Sequence, residues 1–210
     1  MEHKKEKEMS LSDKHVLFCL GGPGAGKGTQ CQKIVNKYPI THLSAGDLLR
    51  AEVKREGSQN GQLIQTLIKE GKIVPAAVTV ELLLNAIRND EHKVFIIDGF
   101  PRNAENKEAW FLQANKVNID TALCVFIDVS EETMINRIHK RSVNSGRVDD
   151  NDDSLMKRFR TYKLETLPVI ESFENENKLL RISGEGSVDD IFNKIDVSLS
   201  KFFVDNHVLL

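Results

Sequence analysis

The first candidate for chemistry in this chain is a glycine-rich turn. Residues 21–29 read Gly-Gly-Pro-Gly-Ala-Gly-Lys-Gly-Thr and follow an apolar run at 15–20. Glycines let the backbone curl so that successive N–H groups point at phosphate oxygens, and Lys27 adds a mobile positive charge. The apolar strand, this turn and the helical pattern after it form the G-x-x-x-x-G-K arrangement of a phosphate-binding P-loop. Gly28 stands where Ser or Thr is usual, and Thr29 comes one residue later.

Arginines around this turn could hold a second phosphate. They fall near predicted strand ends, on the helices that follow or in a turn-rich segment: Arg50, Arg102, Arg137, Arg141, Arg147 and Arg158. A guanidinium group binds phosphate oxygens through two parallel hydrogen bonds and stays charged. Phosphoryl transfer needs charge around the transferred group more than it needs covalent chemistry. The cluster therefore suggests a phosphotransferase with a phosphorylated acceptor, whereas each arginine taken singly could form a surface ion pair.

A carboxylate is placed beside the same turn. Asp98 follows the apolar run 93–97, and in a parallel sheet the carboxyl ends of the strands lie at one edge. A carboxylate there can hold Mg²⁺ through the metal's water ligands while phosphates supply further ligands. The alternative is that Asp98 only caps the end of its strand. Asp98 is therefore our candidate for magnesium binding through water.

The elements that must position these residues alternate along the chain. Short apolar runs predict strands at 15–20, 41–44, 93–97, 122–128 and 179–182. Helical patterns fall at 27–37, 46–56, 60–70, 78–89, 103–115, 131–141, 152–175 and 188–203. This alternation predicts an α/β fold of the P-loop NTPase class, with a five-stranded parallel sheet flanked by helices on both faces. Three helical segments within 46–89 indicate a helical insertion between the second and third strands.

Composition restricts the class of protein. The chain has 210 residues, 40% hydrophobic and 29% charged, which fits one globular domain over 14–210. The formal net charge is −2 and no basic stripe carries interleaved aromatic residues, so we expect no nucleic acid and no membrane as partners. No apolar run approaches the roughly 18 to 20 residues of a membrane span. Residues 1–13 begin with a charged stretch and predict a disordered extension.

The cysteines bear on the cellular compartment. Cys19, Cys31 and Cys124 show no C-x-x-C spacing, which argues against a zinc site. A disulfide framework is not indicated either, which fits a reducing compartment. The start of the chain lacks the apolar region of a signal peptide. We therefore expect a cytoplasmic protein, with the nucleus as a second location.

Five motifs, in order and in spacing, resemble the nucleoside monophosphate kinases, the adenylate kinase-like family. They lie at 20–31, 42–50, 71–75, 97–103 and 145–151. The resemblance extends from about residue 14 to 203 and is greatest to the eukaryotic members that act on UMP and CMP. It implies a core domain, a nucleoside-monophosphate-binding (NMP-binding) segment at 44–75 and a short lid segment at 142–152. It also implies ATP with Mg²⁺ as the donor, no zinc, and a monomer.

The same resemblance implies roles residue by residue. The donor ATP would contact Gly22, Gly24, Ala25, Gly26, Lys27, Gly28, Thr29, Arg137, Arg141 and Gly186. The acceptor monophosphate would contact Ser44, Ala45, Arg50, Ile73, Val74, Gly99, Arg102, Asn106, Arg147 and Arg158. The catalytic set would be Lys27, Arg102, Arg141, Arg147 and Arg158, and Asp98 would hold the metal through water. Ser142 departs from the family, which usually has Gly there, and could alter the hinge of the lid segment.

Two positions favour a pyrimidine acceptor. Ala45 and Asn106 stand where adenylate kinases usually carry Thr and Gln. Asn is one methylene shorter than Gln and keeps the amide donor and acceptor, so it would meet a base at a different distance. The predicted reaction is transfer of the ATP γ-phosphoryl group to UMP or CMP, with dCMP as a further candidate. The alternatives are an adenylate kinase that uses AMP and a nucleotide-binding module without catalysis, which the retained Lys27, Asp98 and arginines disfavour.

Overall fold

A five-stranded parallel sheet forms the centre of the computed structural model, which describes residues 11–145 and 151–208. Its strands are β1 (His15–Leu20), β2 (Ile40–Ser44), β3 (Val94–Asp98), β4 (Asp120–Asp128) and β5 (Leu179–Ser183). Their order in the sheet is β2-β3-β1-β4-β5, and every neighbouring pair is parallel. The predicted α/β architecture is confirmed, because parallel neighbours require crossover connections and these run through helices.

Helices connect the strands and pack on both faces of the sheet. They are α1 (Lys27–Lys37), α2 (Ala45–Lys54), α3 (Gly61–Lys69), α4 (Ala76–Arg88), α5 (Ala104–Val117), α6 (Glu131–Ser145), α7 (Asp152–Thr161), α8 (Leu167–Asn175) and α9 (Val188–Asp205). The predicted helix over 152–175 is interrupted by a π-helical turn at Tyr162–Thr166, between α7 and α8. Pro168 has no N–H to donate to the Leu164 carbonyl and its ring would collide with it, so the regular hydrogen-bond ladder shifts there. None of the helices in the described residues is long and apolar enough to cross a membrane.

Two apolar layers bury the sheet, one on each face. Val16, Phe18 and Leu20 of β1 belong to one layer, and the alternating Leu17 and Cys19 belong to the other. Burial on both faces explains why the strands read as apolar runs without polar positions. Because β1 is central and fully packed, the glycine-rich turn starts from a fixed point.

A third, smaller apolar cluster lies in the helical insertion. Leu49 of α2, Ile64 of α3 and Val74 are buried together between β2 and α4. A cluster of its own lets this insertion hold its shape beside the sheet. The insertion begins directly at the carboxyl end of β2, next to the ends of β3 and β1.

The packed part of the chain begins earlier than the sequence predicted. Leu11 is buried, and its N–H donates to the Val117 carbonyl at 2.7 Å. The residues from 11 onward in the predicted extension 1–13 therefore belong to the folded domain. Residues 1–10 lie outside the described residues.

The lid segment predicted at 142–152 is described only in part. The helix α6 continues to Ser145, four residues beyond its predicted end at 141, and so includes the first part of the predicted lid segment. Residues 146–150 lie outside the described residues. The contacts expected of Arg147 fall in this gap and stay a prediction.

The cysteines are buried free thiols: Cys19, Cys31 and Cys124. A hydrogen bond with Cys19 and burial raise the pKa of the Cys31 thiol well above its ordinary value. Burial likewise raises the pKa of Cys124. Thiols of this kind stay protonated and pack as small apolar groups.

Candidate active site

The carboxyl ends of β1, β2 and β3 meet at a cleft of about 350 Å³. In open parallel sheets, the crevice outside that edge is where ligands bind. The predicted site residues that line it are Gly24, Gly26, Lys27, Gly28, Thr29, Ser44, Ala45, Arg50, Ile73, Val74, Asp98, Gly99, Arg102, Asn106, Arg141 and Arg158. The fold therefore gathers positions predicted for donor, acceptor and metal around one space.

The glycine-rich turn has the backbone that an anion site requires. Gly24 and Gly26 adopt left-handed conformations, with φ of +80° and +94°. The helix α1 begins after Gly26, which has no side chain to cap it. The N–H groups of its first turn thus have no partner within the helix and attract an anion.

Lys27 occupies the middle of this turn and is held by its backbone. The Nζ atom donates to the Gly21 and Gly22 carbonyls, both at 3.0 Å. Burial lowers the pKa of Lys27, the Asp98 carboxylate opposes this, and the Arg102 guanidinium lowers it further. Phosphate oxygens placed among these cations would stabilise the charged lysine, so the electrostatics favour an anionic ligand.

Asp98 lies at the end of β3, facing the start of α1. A Cβ at Gly28 would lie 3.5 Å from Asp98 Oδ2, so the carboxylate approaches the backbone where most P-loops have a hydroxyl side chain. Its side chain is 13% exposed. A single carboxylate next to bound phosphates is the protein ligand that Mg²⁺ commonly uses.

His42 is a cleft residue that the sequence analysis missed. Its Nε2 lies 3.6 Å from Asp98 Oδ2, too far for a hydrogen bond, and this buried atom has no hydrogen-bond partner within the described part of the chain. His42 precedes Ser44 by two residues in β2, so the two side chains point to the same side of the strand. That spacing is the signal that could have identified it.

Arg50 projects from α2 and is paired within its own helix. Its Nη2 and Nε donate to Asp47 Oδ1 at 2.5 Å and 3.2 Å. Ser44 caps the same helix, since its Oγ accepts from the Asp47 N–H at 3.2 Å. The predicted acceptor residues at this end of the cleft are thus ordered by helix capping and by an ion pair.

Arg102 is fixed through its backbone by two neighbouring elements. Its N–H donates to Asn106 Oδ1 at 3.2 Å, and its carbonyl accepts from Thr166 Oγ1 at 2.8 Å. Its Nε donates to the Gly99 carbonyl at 2.7 Å, and Gly99 has a φ of +74°. The guanidinium is therefore held at the mouth of the cleft by groups from α5, the π-helical turn and the loop after β3.

Asn106 combines burial with an unsatisfied donor. The residue is 2% exposed, and its Nδ2 has no hydrogen-bond partner among residues 11–145 and 151–208. Its Oδ1 is already used by Arg102, and its backbone N–H donates to the Asn103 cap of α5 at 2.8 Å. Since buried donors are almost always paired, the free Nδ2 is open to an acceptor supplied by a ligand or by a water molecule.

Four of the residues predicted to contact ATP do not line this cleft: Gly22, Ala25, Arg137 and Gly186. Arg137 donates to the Ala25 carbonyl at 3.3 Å and to the Gly184 carbonyl at 2.8 Å, and so joins the glycine-rich turn to the loop after β5. Gly186 belongs to the same loop, with a φ of +109°. Gly22 packs so tightly against α6 that a Cβ there would collide with it. These residues gather where the turn, α6 and the loop after β5 meet, and the structure does not bring them next to the acceptor positions.

A parallel sheet with a P-loop after its central strand and arginines around the loop defines the class of P-loop phosphotransferases. The sequence model of one family, adenylate kinase, matches residues 19–178. Because the match covers more than half of the chain, the protein belongs to the adenylate kinase family, whose members are ATP-dependent nucleoside monophosphate kinases.

Similar proteins match over most of their own length. The chain is 48% identical over 188 residues to UMP-CMP kinase of Gallus gallus, covering 86% of this chain and 94% of that protein. It is 49% identical over 191 residues to UMP-CMP kinase of Danio rerio, covering 89% and 97%. It is 47% identical over 184 residues to uridylate kinase of Saccharomyces cerevisiae, covering 86% and 88%.

Proposed function

We propose that this protein transfers the γ-phosphoryl group of ATP to UMP or CMP and produces ADP and UDP or CDP. The observation that carries the proposal is the buried Asn106 amide, whose Nδ2 lacks a partner in the cleft that also holds Arg102. Relatives named UMP-CMP kinase and uridylate kinase support the same choice.

The chemistry of the bases explains why Asn106 favours pyrimidines. Uracil and cytosine share a carbonyl acceptor at C2, whereas the acceptors of adenine are ring nitrogens at other positions. The Asn106 Nδ2 is a donor, and a carbonyl oxygen is the acceptor that would satisfy it. A base whose acceptors lie out of reach of Nδ2 would leave the donor buried and unpaired, which costs binding free energy. Ala45, which also lines the cleft, has no hydroxyl that could compete for hydrogen bonds with the base.

Charge around the transferred group would supply most of the catalysis. Lys27, Arg102 and Arg158 lie close enough that both arginines lower the pKa of the lysine. They would surround the γ-phosphoryl group as an acceptor phosphate oxygen attacks it in line and the bond to the ADP oxygen breaks. The acceptor is already an anion, so no protein nucleophile or general base is required.

Asp98 would hold Mg²⁺ through the metal's water ligands. When bound, the ion would neutralise charge on the donor phosphates. Within 11–145 and 151–208, no group of three or more His, Cys, Asp or Glu side chains could hold a metal ion. A single carboxylate beside a phosphate site suits Mg²⁺, which usually keeps waters and takes phosphate ligands.

The segments 44–75 and 142–152 would close over the two nucleotides. Arg50 would exchange its Asp47 partner for the acceptor phosphate, and Arg141 and Arg147 would approach the phosphates of the two nucleotides. Closure of this kind expels water and thereby limits hydrolysis of ATP.

A coupled assay of ADP release, with AMP, UMP, CMP and dCMP tested in parallel, examines the proposal directly. We expect kcat/KM for UMP or CMP to exceed that for AMP by at least about tenfold, the discrimination that one unpaired polar group can provide. A preference for AMP would identify an adenylate kinase. Nucleotide binding without turnover of any monophosphate would support the non-catalytic alternative.

We also infer that the protein acts as a monomer in the cytoplasm, with the nucleus as a second location. Its three cysteines are all free thiols, which supports a reducing compartment. The family resemblance supports the monomer. Light scattering behind size exclusion, which would give the mass of one chain or of two, tests the assembly, and imaging of the tagged full chain tests the location.

A further inference from the structure

Two hydroxyl groups join α7 to the end of α3 and to the loop that follows it. Ser154 Oγ donates to the Lys69 carbonyl at 3.1 Å, and Thr161 Oγ1 donates to the Gly71 carbonyl at 3.0 Å. Ser154 is buried, with 4% of its surface exposed. The donors and acceptors are 85 and 90 residues apart in sequence, so the bonds connect separate parts of the fold.

Gly71 brings the same loop into direct contact with α7. It adopts a left-handed conformation with a φ of +67°. A Cβ at this position would lie 3.1 Å from Lys157 Cβ and 3.3 Å from the backbone nitrogen of Arg158. A side chain here would press against α7, and the left-handed backbone also favours glycine, so the loop backbone rests directly on the helix.

These contacts involve the face of α7 that carries Arg158. Residues 154, 158 and 161 follow the i, i+4, i+7 spacing of one helix face. Beyond Gly71 the loop continues into Ile73 and Val74, which line the cleft together with Arg158. One contact region therefore sets the position of the acceptor loop, residues 71–74, relative to an arginine of the cleft.

Ser and Thr hydroxyls inside a helix can bond to a carbonyl of their own helix, three or four residues earlier. In this protein, Thr66 donates to the Gln62 carbonyl and Ser198 to the Lys194 carbonyl, both at 3.0 Å and within one helix. Ser154 instead donates to a carbonyl of another element, and so does Thr161. The difference marks these two hydroxyls as links between elements.

We propose that Ser154 and Thr161 are positioning residues for phosphoryl transfer. Their hydroxyls dock the end of α3 and the acceptor loop on α7, so that a monophosphate held by Ile73 and Val74 lies within reach of the Arg158 guanidinium. The inference rests on the proposed function for its kinetic consequence, since it assumes that the loop holds an acceptor. The docking contact itself requires no substrate.

The kinetic test compares Ser154→Ala, Thr161→Val and the double variant with the parent, using whichever monophosphate the parent phosphorylates best. We expect KM for that acceptor to rise about fivefold for each hydroxyl removed, the effect of one net hydrogen bond, while KM for ATP stays unchanged. Thr161→Ser, which keeps the hydroxyl, should restore the parent value. Thr66→Val and Ser198→Ala are the matched controls, because each removes a hydroxyl that bonds inside its own helix.

A second measurement separates docking from substrate choice. Hydrogen–deuterium exchange of the amides at 70–74, in the protein without nucleotide, should be faster in the double variant than in the parent and both controls. If exchange and acceptor KM in the double variant match the controls, the positioning role is wrong. If the parent prefers AMP, the pyrimidine assignment fails, yet the AMP kinetics and the exchange data still decide the role of the two hydroxyls.

Discussion

The Lys27 ammonium group donates to two carbonyls of its own turn, and burial lowers its pKa. Phosphate oxygens would be stronger acceptors for this charge than carbonyls are. We expect Lys27→Met to lower kcat/KM by about 10²- to 10³-fold, the loss typical of removing a charge-stabilising donor from an active site. Steady-state kinetics measure the effect, and circular dichroism confirms that the variant is folded.

Lys33→Met is the matched control for this variant. Lys33 lies on the same helix, and its Nζ pairs at 2.7 Å with the carboxylate of Asp189, whose side chain is 80% exposed. Surface ion pairs contribute little, so kcat/KM should stay within about twofold of the parent. Equal losses in the two variants would contradict a specific role for Lys27.

The Asn106 amide offers an isosteric test of base recognition. Asn106→Asp keeps an oxygen that can accept from the Arg102 N–H and removes the unpaired Nδ2 donor. We expect kcat/KM for UMP and CMP to fall by about 10- to 100-fold, while KM for ATP is unchanged, because only the acceptor side loses a partner. Initial rates at varied acceptor and varied ATP separate the two effects.

Asn103→Asp is the control for the same chemical change three residues away. Asn103 caps α5 by accepting from the Asn106 N–H at 2.8 Å, and Asp caps a helix as well as Asn does. Its kinetics should resemble those of the parent. A similar loss of activity in Asn103→Asp would mean that added negative charge, and not the missing donor, explains the result.

At the scale of elements, the end of α2 is held by a compact charged cluster. Glu52 is buried and accepts from Arg55 through both carboxylate oxygens, at 2.7 Å and 2.8 Å. Ser58 donates to the same carboxylate at 2.7 Å. The hydrogen bonds from Arg55 and Ser58 lower the pKa of Glu52 from 4.5 to about 2. The cluster thus ties the end of α2 to the turn that leads into α3.

This cluster should make stability depend on pH in a defined window. A carboxyl with a lowered folded-state pKa stabilises the protein above its unfolded pKa, here about 4.5, and loses that contribution as the pH falls toward about 2. We expect Glu52→Gln to lower the urea midpoint at pH 5 to 7, and the difference from the parent to shrink below pH 4.5. Urea unfolding at several pH values measures it. Glu81→Gln, on the exposed face of α4, should show no such trend, and a constant Glu52→Gln deficit down to pH 3 would contradict the mechanism.

At the scale of the whole molecule, one tryptophan joins α5 to the sheet. Trp110 is fully buried and packs edge-on against Phe18 and Phe100, with ring centroids 5.7 Å and 6.0 Å away. Its indole N–H donates to Thr121 Oγ1 of β4 at 2.9 Å. Because the sequence has a single tryptophan, its fluorescence reports unfolding of the entire core.

Removing the Thr121 hydroxyl should destabilise the whole domain. Thr121→Val keeps the shape of the side chain but leaves the Trp110 N–H buried without its acceptor, which costs about 1–3 kcal/mol. Urea unfolding followed by tryptophan fluorescence and by circular dichroism measures the loss, and the two signals should coincide. Thr66→Val on the exposed face of α3 should change stability by less than about 0.5 kcal/mol. Equal stabilities for the two variants would show that the indole hydrogen bond contributes nothing.

Much of the fold and site could be predicted from the sequence because the relevant signals are local. Adjacent residues are enough to identify the apolar runs of the strands, the glycines of the turn at 21–29 and Lys27 within that turn. Parallel sheets put strand ends together, so Asp98 and Arg102 could be assigned to the edge that carries the P-loop. The π-helical turn escaped prediction, because Pro168 disturbs a ladder whose new register depends on packing of α7 and α8.

The sequence by itself determined the sheet, the glycine-rich turn and the charged residues around it, since backbone stereochemistry and periodic burial act over short stretches. Only the tertiary structure decided that Asn106 Nδ2 and His42 Nε2 are buried with no partner among the described residues, and that Ser154 and Thr161 bond to the end of α3 and the loop after it. Each of these facts, a missing partner or a hydrogen bond, depends on atoms whose residues lie far apart in the chain. Their distances depend on how whole elements pack, and no local pattern of residues encodes them.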